Sequence, residues 1–215
     1  MSKTSMRETE SSPIADPAPA QGQHLRCPWA SKGKAENIQL LQDYHDREWG
    51  VPLHDDNRHF ELLLLEWFQA GLSWLLILQR RMAFRQAFSD FDPARVALYS
   101  SADIEELLGN SSIIRHRAKI EGAIHNAGRF LTVQEEWGSF DVYIWHFTEG
   151  KSLHNVWHKS SDVPSAGPLG REVAHDLKRR GFQRLGPVTT YAYLQAIGVV
   201  NDHLHSCFRY AELTV

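Results

Sequence analysis

Glu66 is the lone carboxylate in an apolar and aromatic run, Leu65-Glu66-Trp67-Phe68-Gln69-Ala70-Gly71-Leu72-Ser73-Trp74. Leu62 to Leu65 precede it, and Trp74 to Leu78 follow. On a helix, Leu62, Leu65, Glu66 and Gln69 share neighbouring faces, so Glu66 is expected against the core rather than in water. An ionised carboxylate in that position protonates, pairs with a cation, or waits for a cationic ligand. Trp29, Tyr44, Trp49 and Trp74 lie near it in sequence or near candidate metal ligands. Aromatic faces attract positive charge and a carboxylate accepts hydrogen bonds, so this set suits a flat, cationic guest.

Cys27, His45, His203 and Cys207 are the candidate metal ligands. His203 and Cys207 are four apart, and on a helical turn both can face one ion. Two Cys with two His make a closed tetrahedral set for a single zinc, structural rather than catalytic. It would clip the first folded residues to the last. Spacing alone leaves His146, His154, His158 and His205 as competitors. A third candidate is the turn Gly109-Asn110-Ser111-Ser112, followed by Arg115-His116-Arg117-Ala118-Lys119. Amides at a helix start can hold a phosphate oxygen, and basic side chains add charge-assisted contacts. Ser111, Ser112, Arg115 and Arg117 would then grip a DNA backbone through a helix-hairpin-helix without reading sequence. The plainer alternative is a loop followed by a solvated basic face.

Helices must position these groups. The 215 residues are 42% hydrophobic and 23% charged, ordinary for a globular protein with a sizeable core. The net charge of -3 argues against adhesion to nucleic acid by bulk charge, so any such binding needs a local patch. No apolar run has the roughly 20 residues of a membrane helix, no export signal opens the chain, and the cytoplasm is the default location. Residues 1–24 are rich in Ser, Pro, Ala and Gln and are expected to be a disordered tail, with 25–215 a single helical domain.

Helical patterns run from Ala35 towards Trp49, from Asp55–Asn57 to Gly71, and from Ser73 to Phe88. A short one follows Asp92-Pro93, and another runs from Ser101 to Gly109. From Ile113 the apolar spacing predicts a long helix. Phe140 to Phe147 alternates weakly but reads as helix, because no partner strand is visible. Thr148 to Gly170 is a long polar stretch of the kind that often lies across a site. Two further helices cover Arg171–Arg180 and Thr189–Val200. The class is all-α.

These residues resemble the 3-methyladenine DNA glycosylase I family, the bacterial Tag type within the helix-hairpin-helix glycosylases. The matching segments are RCPWA at Arg26, YHDREWGVP at Tyr44, LEWFQAGLSW at Leu65, FDPARVA at Phe91, IIRHRAKI at Ile113, LKRRGF at Leu177 and VVNDHLHSC at Val199. They fall in order over nearly the whole chain after the tail. The resemblance implies one zinc on Cys27, His45, His203 and Cys207. It implies a base pocket in which Glu66 meets the adenine edge, with Tyr44, Trp49 and Trp74 around the ring and Trp29 nearby. The implied reaction is hydrolysis of the N-glycosidic bond of 3-methyladenine in double-stranded DNA, with base flipping and no obligate protein partner. The chain departs from the family in Ser111-Ser112, where Gly is usual, in Ala174-His175, where Ser-Lys is common, and in Trp67, where a small residue is common and an indole beside Glu66 could narrow or re-shape the pocket.

Two other readings compete. A metal-dependent phosphohydrolase would use His45-Asp46 and Asp202-His203 to hold catalytic cations. A zinc-stapled helical DNA-binding module would use the same metal set without catalysis.

Overall fold

The computed structural model describes residues 24–214, so the tail expected over 1–24 lies, up to residue 23, outside the described residues. Helix dominates. In order come α1 (Ala35–Arg47), α2 (Asp56–Gln69), α3 (Trp74–Ala87), α4 (Pro93–Val96), α5 (Ser101–Gly109) and α6 (Arg117–Trp137). They are followed by α7 (Phe140–Trp145), α8 (Pro168–Arg179), α9 (Pro187–Ala196) and α10 (Phe208–Leu213). No helix among the described residues is long and apolar enough to cross a membrane.

The fold is assembled around α2. Asp55 starts it by accepting from the Arg58 amide at 2.8 Å. Every residue from His59 to Phe68 is buried. A helix apolar on all faces belongs in the interior, and α2 is wrapped by α3, α6, α7 and α9. The turn after Gln69 uses Gly71 at φ 84°, a left-handed conformation that favours glycine. Ser73 then caps α3 by accepting from the Leu76 amide. The long helix α6 lies against α2, and Phe130 on it meets Phe60 at 5.3 Å and stacks on Phe140 at 4.0 Å.

Some boundaries differ from the sequence reading. The long helix begins at Arg117, not Ile113, because Asn110 to His116 form the turn and His116 is the cap. Ile113 is buried as an anchor of that turn, so its apolar spacing imitated a helix. The cap of α5 is Ser100, one residue before the expected start, in a reciprocal capping box with Asp103. Phe140–Phe147 is helical as expected, closed by a 3-10 turn from His146 to Thr148. The all-α expectation missed one small ladder. β1 (Leu153–His154) pairs in parallel with β2 (Val200–Asn201), and Trp157 bridges Leu204. These contacts strap the long polar stretch to the C-terminal segment.

Gly198 (φ 75°) sits where a Cβ would lie 2.5 Å from the Val51 carbonyl carbon and the Pro52 nitrogen. Gly71 has an equally left-handed backbone but open space around it. Gly198→Ala should therefore cost about 3 kcal/mol from overpacking plus strain, and Gly71→Ala only about 1 kcal/mol. Urea unfolding of both variants measures the difference; equal losses would contradict the close backbone approach at Gly198.

Candidate active site

The C-terminal half of α2 opens onto a cavity of about 400 Å³. Glu66 and Gln69 face it from α2, Tyr44 from α1, and Trp74 from the first position of α3. Trp29 and Trp49 complete an aromatic wall. Tyr44 and Trp74 meet at 5.1 Å between ring centroids, and Trp29 and Trp49 at 5.2 Å edge to face. The structure thus brings Glu66 together with all four aromatic residues expected around it. Ser160 and Val163 come from the long polar stretch, which does lie across the cavity, and Gln195 and Asp202 come from the C-terminal third.

Glu66 is 5% exposed, and no hydrogen bond or ion pair reaches its carboxylate among the described residues. Burial alone pushes its pKa from 4.5 up to about 8. The Tyr44 hydroxyl and the Trp74 indole N–H are also buried without a protein partner. Burial, and then the charge of Glu66, holds the Tyr44 hydroxyl well above the ordinary phenol range, so it is a neutral donor. Two donors and one acceptor thus face the same space, and an unpaired buried polar group costs roughly 1–3 kcal/mol. A planar guest carrying positive charge and hydrogen-bonding edges would satisfy all three.

Glu61, five residues earlier on α2, makes the contrast. It is as buried, yet Arg81 reaches it at 2.8 Å, Arg85 at 3.0 Å and Arg58 at 3.1 Å. Arg81 and Arg58 also hold Glu48. The arginines nearest α2 are thereby engaged away from the cavity. Asp202, the second carboxylate of the cavity wall, differs again. It accepts from Asn155 and Trp157 on one oxygen and from Tyr191 and Gln195 on the other, at 2.7–2.8 Å. Those four donors fill its lone pairs and leave none for a base's work. Sequence reasoning missed Asp202 and Gln195 as wall residues, and only the length of the polar stretch hinted at Ser160 and Val163.

Cys27, His45, His203 and Cys207 converge, their ligand atoms all within 4.8 Å of one another and all four residues buried. Cys207 Sγ lies 3.5 Å from His45 Nε2 and from His203 Nδ1, and Cys27 Sγ lies 3.6 Å from His203 Nδ1. A zinc tetrahedron with arms of about 2.0–2.3 Å has edges of about 3.3–3.8 Å, so the donor set fits that ion. The outer nitrogens are fixed as ligating histidines require: His45 Nδ1 pairs with Asp46 at 2.7 Å, and His203 Nε2 donates to the Trp49 carbonyl at 3.0 Å. Cys27 alongside, with His203 and His45, pulls the Cys207 thiol well below its ordinary range, favouring a thiolate. The competing histidines are elsewhere. His146 stacks on Trp137, His154 bonds Asn201, and His158 pairs with His205 at the surface.

The phosphohydrolase constellation does not form. Asp46 is taken by Arg26 and His45, and Asp202 by its four donors. The expectation for Trp67 also fails. Its indole turns away from the cavity, packs on Gly122 and donates to the Lys119 carbonyl at 2.8 Å. Ser111, Ser112 and Arg115 are exposed in the turn between α5 and α6. Arg117 opens α6 and pairs with Glu105 at 2.7 Å. No residue of this turn has positive φ, so serine stands where the family favours glycine without backbone strain. Ala174 is buried and His175 exposed.

A family model for methyladenine glycosylases matches residues 34–210. DNA-3-methyladenine glycosylase of Haemophilus influenzae is 39% identical over 182 residues, 85% of this chain and 96% of that protein. DNA-3-methyladenine glycosylase 1 of Escherichia coli is 37% identical over 185 residues, 86% of this chain and 96% of that protein. The solved structure of 3-methyladenine DNA glycosylase I from Staphylococcus aureus, which addresses 3-methyladenine recognition, superposes with a TM-score of 0.79 at 36% identity. That superposition covers 85% of this chain and 95% of the other.

The shift at Glu66 makes stability depend on pH. Below pH 4.5 the side chain is protonated both folded and unfolded, and it contributes nothing. As pH rises from 4.5 to about 8, the unfolded chain releases the proton and the folded one keeps it, so stability falls. Above that window the full cost, on the order of 4 kcal/mol, is present. Glu66→Gln removes it. The variant should match the parent near pH 4 and exceed it at pH 9 in chemical denaturation; a constant difference between the two would show that Glu66 titrates normally.

Proposed function

The chain belongs to the methyladenine glycosylase family, and on that premise we propose how its residues release 3-methyladenine from alkylated double-stranded DNA as a base-excision repair glycosylase. The observation that carries the reading is the buried, partnerless carboxyl of Glu66 inside an aromatic wall. Methylation at N3 makes the base cationic and weakens its bond to the sugar. The duplex cannot present that bond to a buried site, so the nucleotide flips into the cavity, at a cost least for a damaged base. Trp29, Trp49 and Trp74 offer ring faces, and Tyr44 and Trp74 offer donors. The cation draws the proton off Glu66 to bulk water, and the ionised carboxylate then faces it across a cavity walled mostly by rings, where the attraction is stronger than in open solvent.

An undamaged, neutral adenine supplies no charge to offset the desolvation of Glu66, so selectivity follows from the same energy that raises its pKa. Water is the nucleophile: its oxygen bonds to the sugar carbon as the bond to the base breaks, the base departs neutral with the bonding electron pair, and the water's surplus proton passes to bulk solvent. Asp202, with its lone pairs filled, takes no part as a base. Leu72 is exposed in the turn between Gln69 and Trp74, both of which line the cavity, and an apolar side chain there can fill the stack left by a flipped base. The turn around Ser111, Ser112, Arg115 and Arg117 is the DNA-backbone contact, a helix-hairpin-helix that adds a local grip to an acidic chain.

Zinc on Cys27, His45, His203 and Cys207 would be a structural ion. Two thiolates balance its charge, which makes burial tolerable, and four protein donors leave no open position for chemistry. The set joins the N-terminal segment to the C-terminal one. It also shares chain with the cavity wall, since Trp29 follows Cys27 by two residues, Tyr44 precedes His45 and Asp202 precedes His203. Cys207→Ser should lower metal content and melting temperature together. Metal analysis of the purified parent that finds no zinc would remove the ion from the account.

Release of free base from methylated duplex DNA is the direct test. Glu66→Gln should lose roughly 10²-fold or more in release rate with the fold retained. Parental kcat/KM should rise as pH approaches about 8, the pKa of Glu66 in the empty cavity, and level off above it. The sign follows because only the deprotonated form holds the cation. Release by Glu66→Gln at the parent rate, or a flat parental profile from pH 6 to 9, would take that role from Glu66.

A further inference from the structure

We propose that Lys119 and Trp67 form a clasp that sets the register between the base pocket and the DNA-backbone hairpin, and so are positioning residues for base release. The proposal rests on the reading of the Asn110–His116 turn as the DNA contact. A helix ends with carbonyls that have no partner inside it. At the end of α2, Phe68 and Ala70 present two of them, and Lys119 Nζ donates to each at 2.7 Å. A cation there also opposes the negative end of the helix dipole. Lys119 is the third residue of α6, in the turn that emerges from the hairpin.

The contact is returned at the same residue. Trp67, on the last turn of α2, donates its indole N–H to the Lys119 carbonyl at 2.8 Å. The indole reaches that far because Gly122 faces it, where a Cβ would stand 2.9 Å from the ring. Trp67 adjoins Glu66 in sequence, and Ala70 begins the turn that carries Leu72 and leads to Trp74. On the other side of that turn, Arg80 of α3 donates to the hairpin carbonyl of Ser111 at 2.9 Å. Both arms of the pocket mouth are thus bonded to the hairpin unit through main-chain carbonyls. A glycosylase must hold a phosphate and a flipped base at one fixed separation, and a displacement of about 1 Å can cost roughly 10²-fold in rate.

A merely structural role would damage pocket and hairpin alike, whereas a register role spares each and spoils their combination. Lys119→Met keeps the aliphatic stem and removes the ammonium; Trp67→Phe keeps most of the packing and removes the N–H, and it reports on the clasp even if Lys119→Met folds poorly. For each full-length variant, two quantities are measured: affinity for free 3-methyladenine, and single-turnover release from methylated duplex across a salt series. The expected result is a fall in duplex release of roughly 10- to 100-fold, with free-base affinity within about twofold of the parent. The slope of log affinity for duplex against log salt should be unchanged. Parallel loss of free-base affinity, or unaltered duplex release, would overturn the proposal. So would a slope shallower by about 0.9, which would make Lys119 itself a phosphate contact. Arg115→Ala with unchanged duplex affinity would remove the hairpin from the DNA, and the clasp's role with it. A parent that neither binds nor releases the base would instead defeat the glycosylase reading.

Discussion

A carboxyl taken out of water and given no partner is the constraint on which the rest of this molecule turns. Two glutamates on α2 face the same interior, and the chain treats them oppositely. Glu61 is surrounded by Arg58, Arg81 and Arg85, which makes it an ion-paired joint between α2 and α3. Glu66 faces a cavity walled mostly by rings, with no cation paired to it among the described residues. The first arrangement spends the charge on cohesion. The second keeps it as a deficit that grows as pH rises above 4.5 while the cavity lacks a cation. Under the proposed role of Glu66, selectivity for a positively charged base is that deficit seen from the ligand's side, and cationic arginines placed within reach would have abolished it.

Holding the deficit requires walls that do not relax. The aromatic residues of the cavity come from three separate segments, and each is fixed by something outside the cavity. Trp49 offers its carbonyl to His203 and its ring to the same imidazole at 4.5 Å. Gly50 donates to the Gln195 carbonyl of α9 and Leu53 to the carbonyl of Ile197, which caps that helix, pinning the stretch of chain beyond Trp49. Asp202 gathers the polar stretch and α9 through its four donors. The Cys2His2 cluster closes the same corner by bringing residues 27 and 207 into contact. Cys2His2 cluster, buried carboxylate hub and cavity wall are therefore one construction, and loss of any of them loosens the site that Glu66 occupies.

Most of the helices were legible because their signals are local. Asp55, Ser73 and Asp92 cap helices as their side chains and spacings predict, and Gly71 and Gly181 stand just beyond helix ends with positive φ. The errors arose where a tertiary contact overrode the pattern. Ile113 matched the apolar period of α6 but is buried in the turn before it. The ladder of Leu153–His154 with Val200–Asn201 is two residues long and joins segments almost fifty positions apart, so neither strand carries a signal of its own. Trp67 looked like a pocket residue because it adjoins Glu66, yet successive residues on a helix diverge by about 100° and it faces α6.

By itself the sequence determined which groups could do the chemistry: one acid in an apolar run, an unusual stock of tryptophan, two cysteines with histidines near them, and the succession of helices that would carry them. Residue types and local spacing suffice for that, since capping, periodicity and ligand softness are short-range properties. Only the tertiary structure decided that, among the described residues, Glu66 lacks a cation while Glu61 has three, that four aromatic side chains share a cavity with it, which two of the twelve histidines join the cysteines, and that Lys119 ties α6 to the end of α2. Each of these depends on the direction of a side chain relative to a distant segment, and direction is fixed by packing rather than by neighbours in the chain.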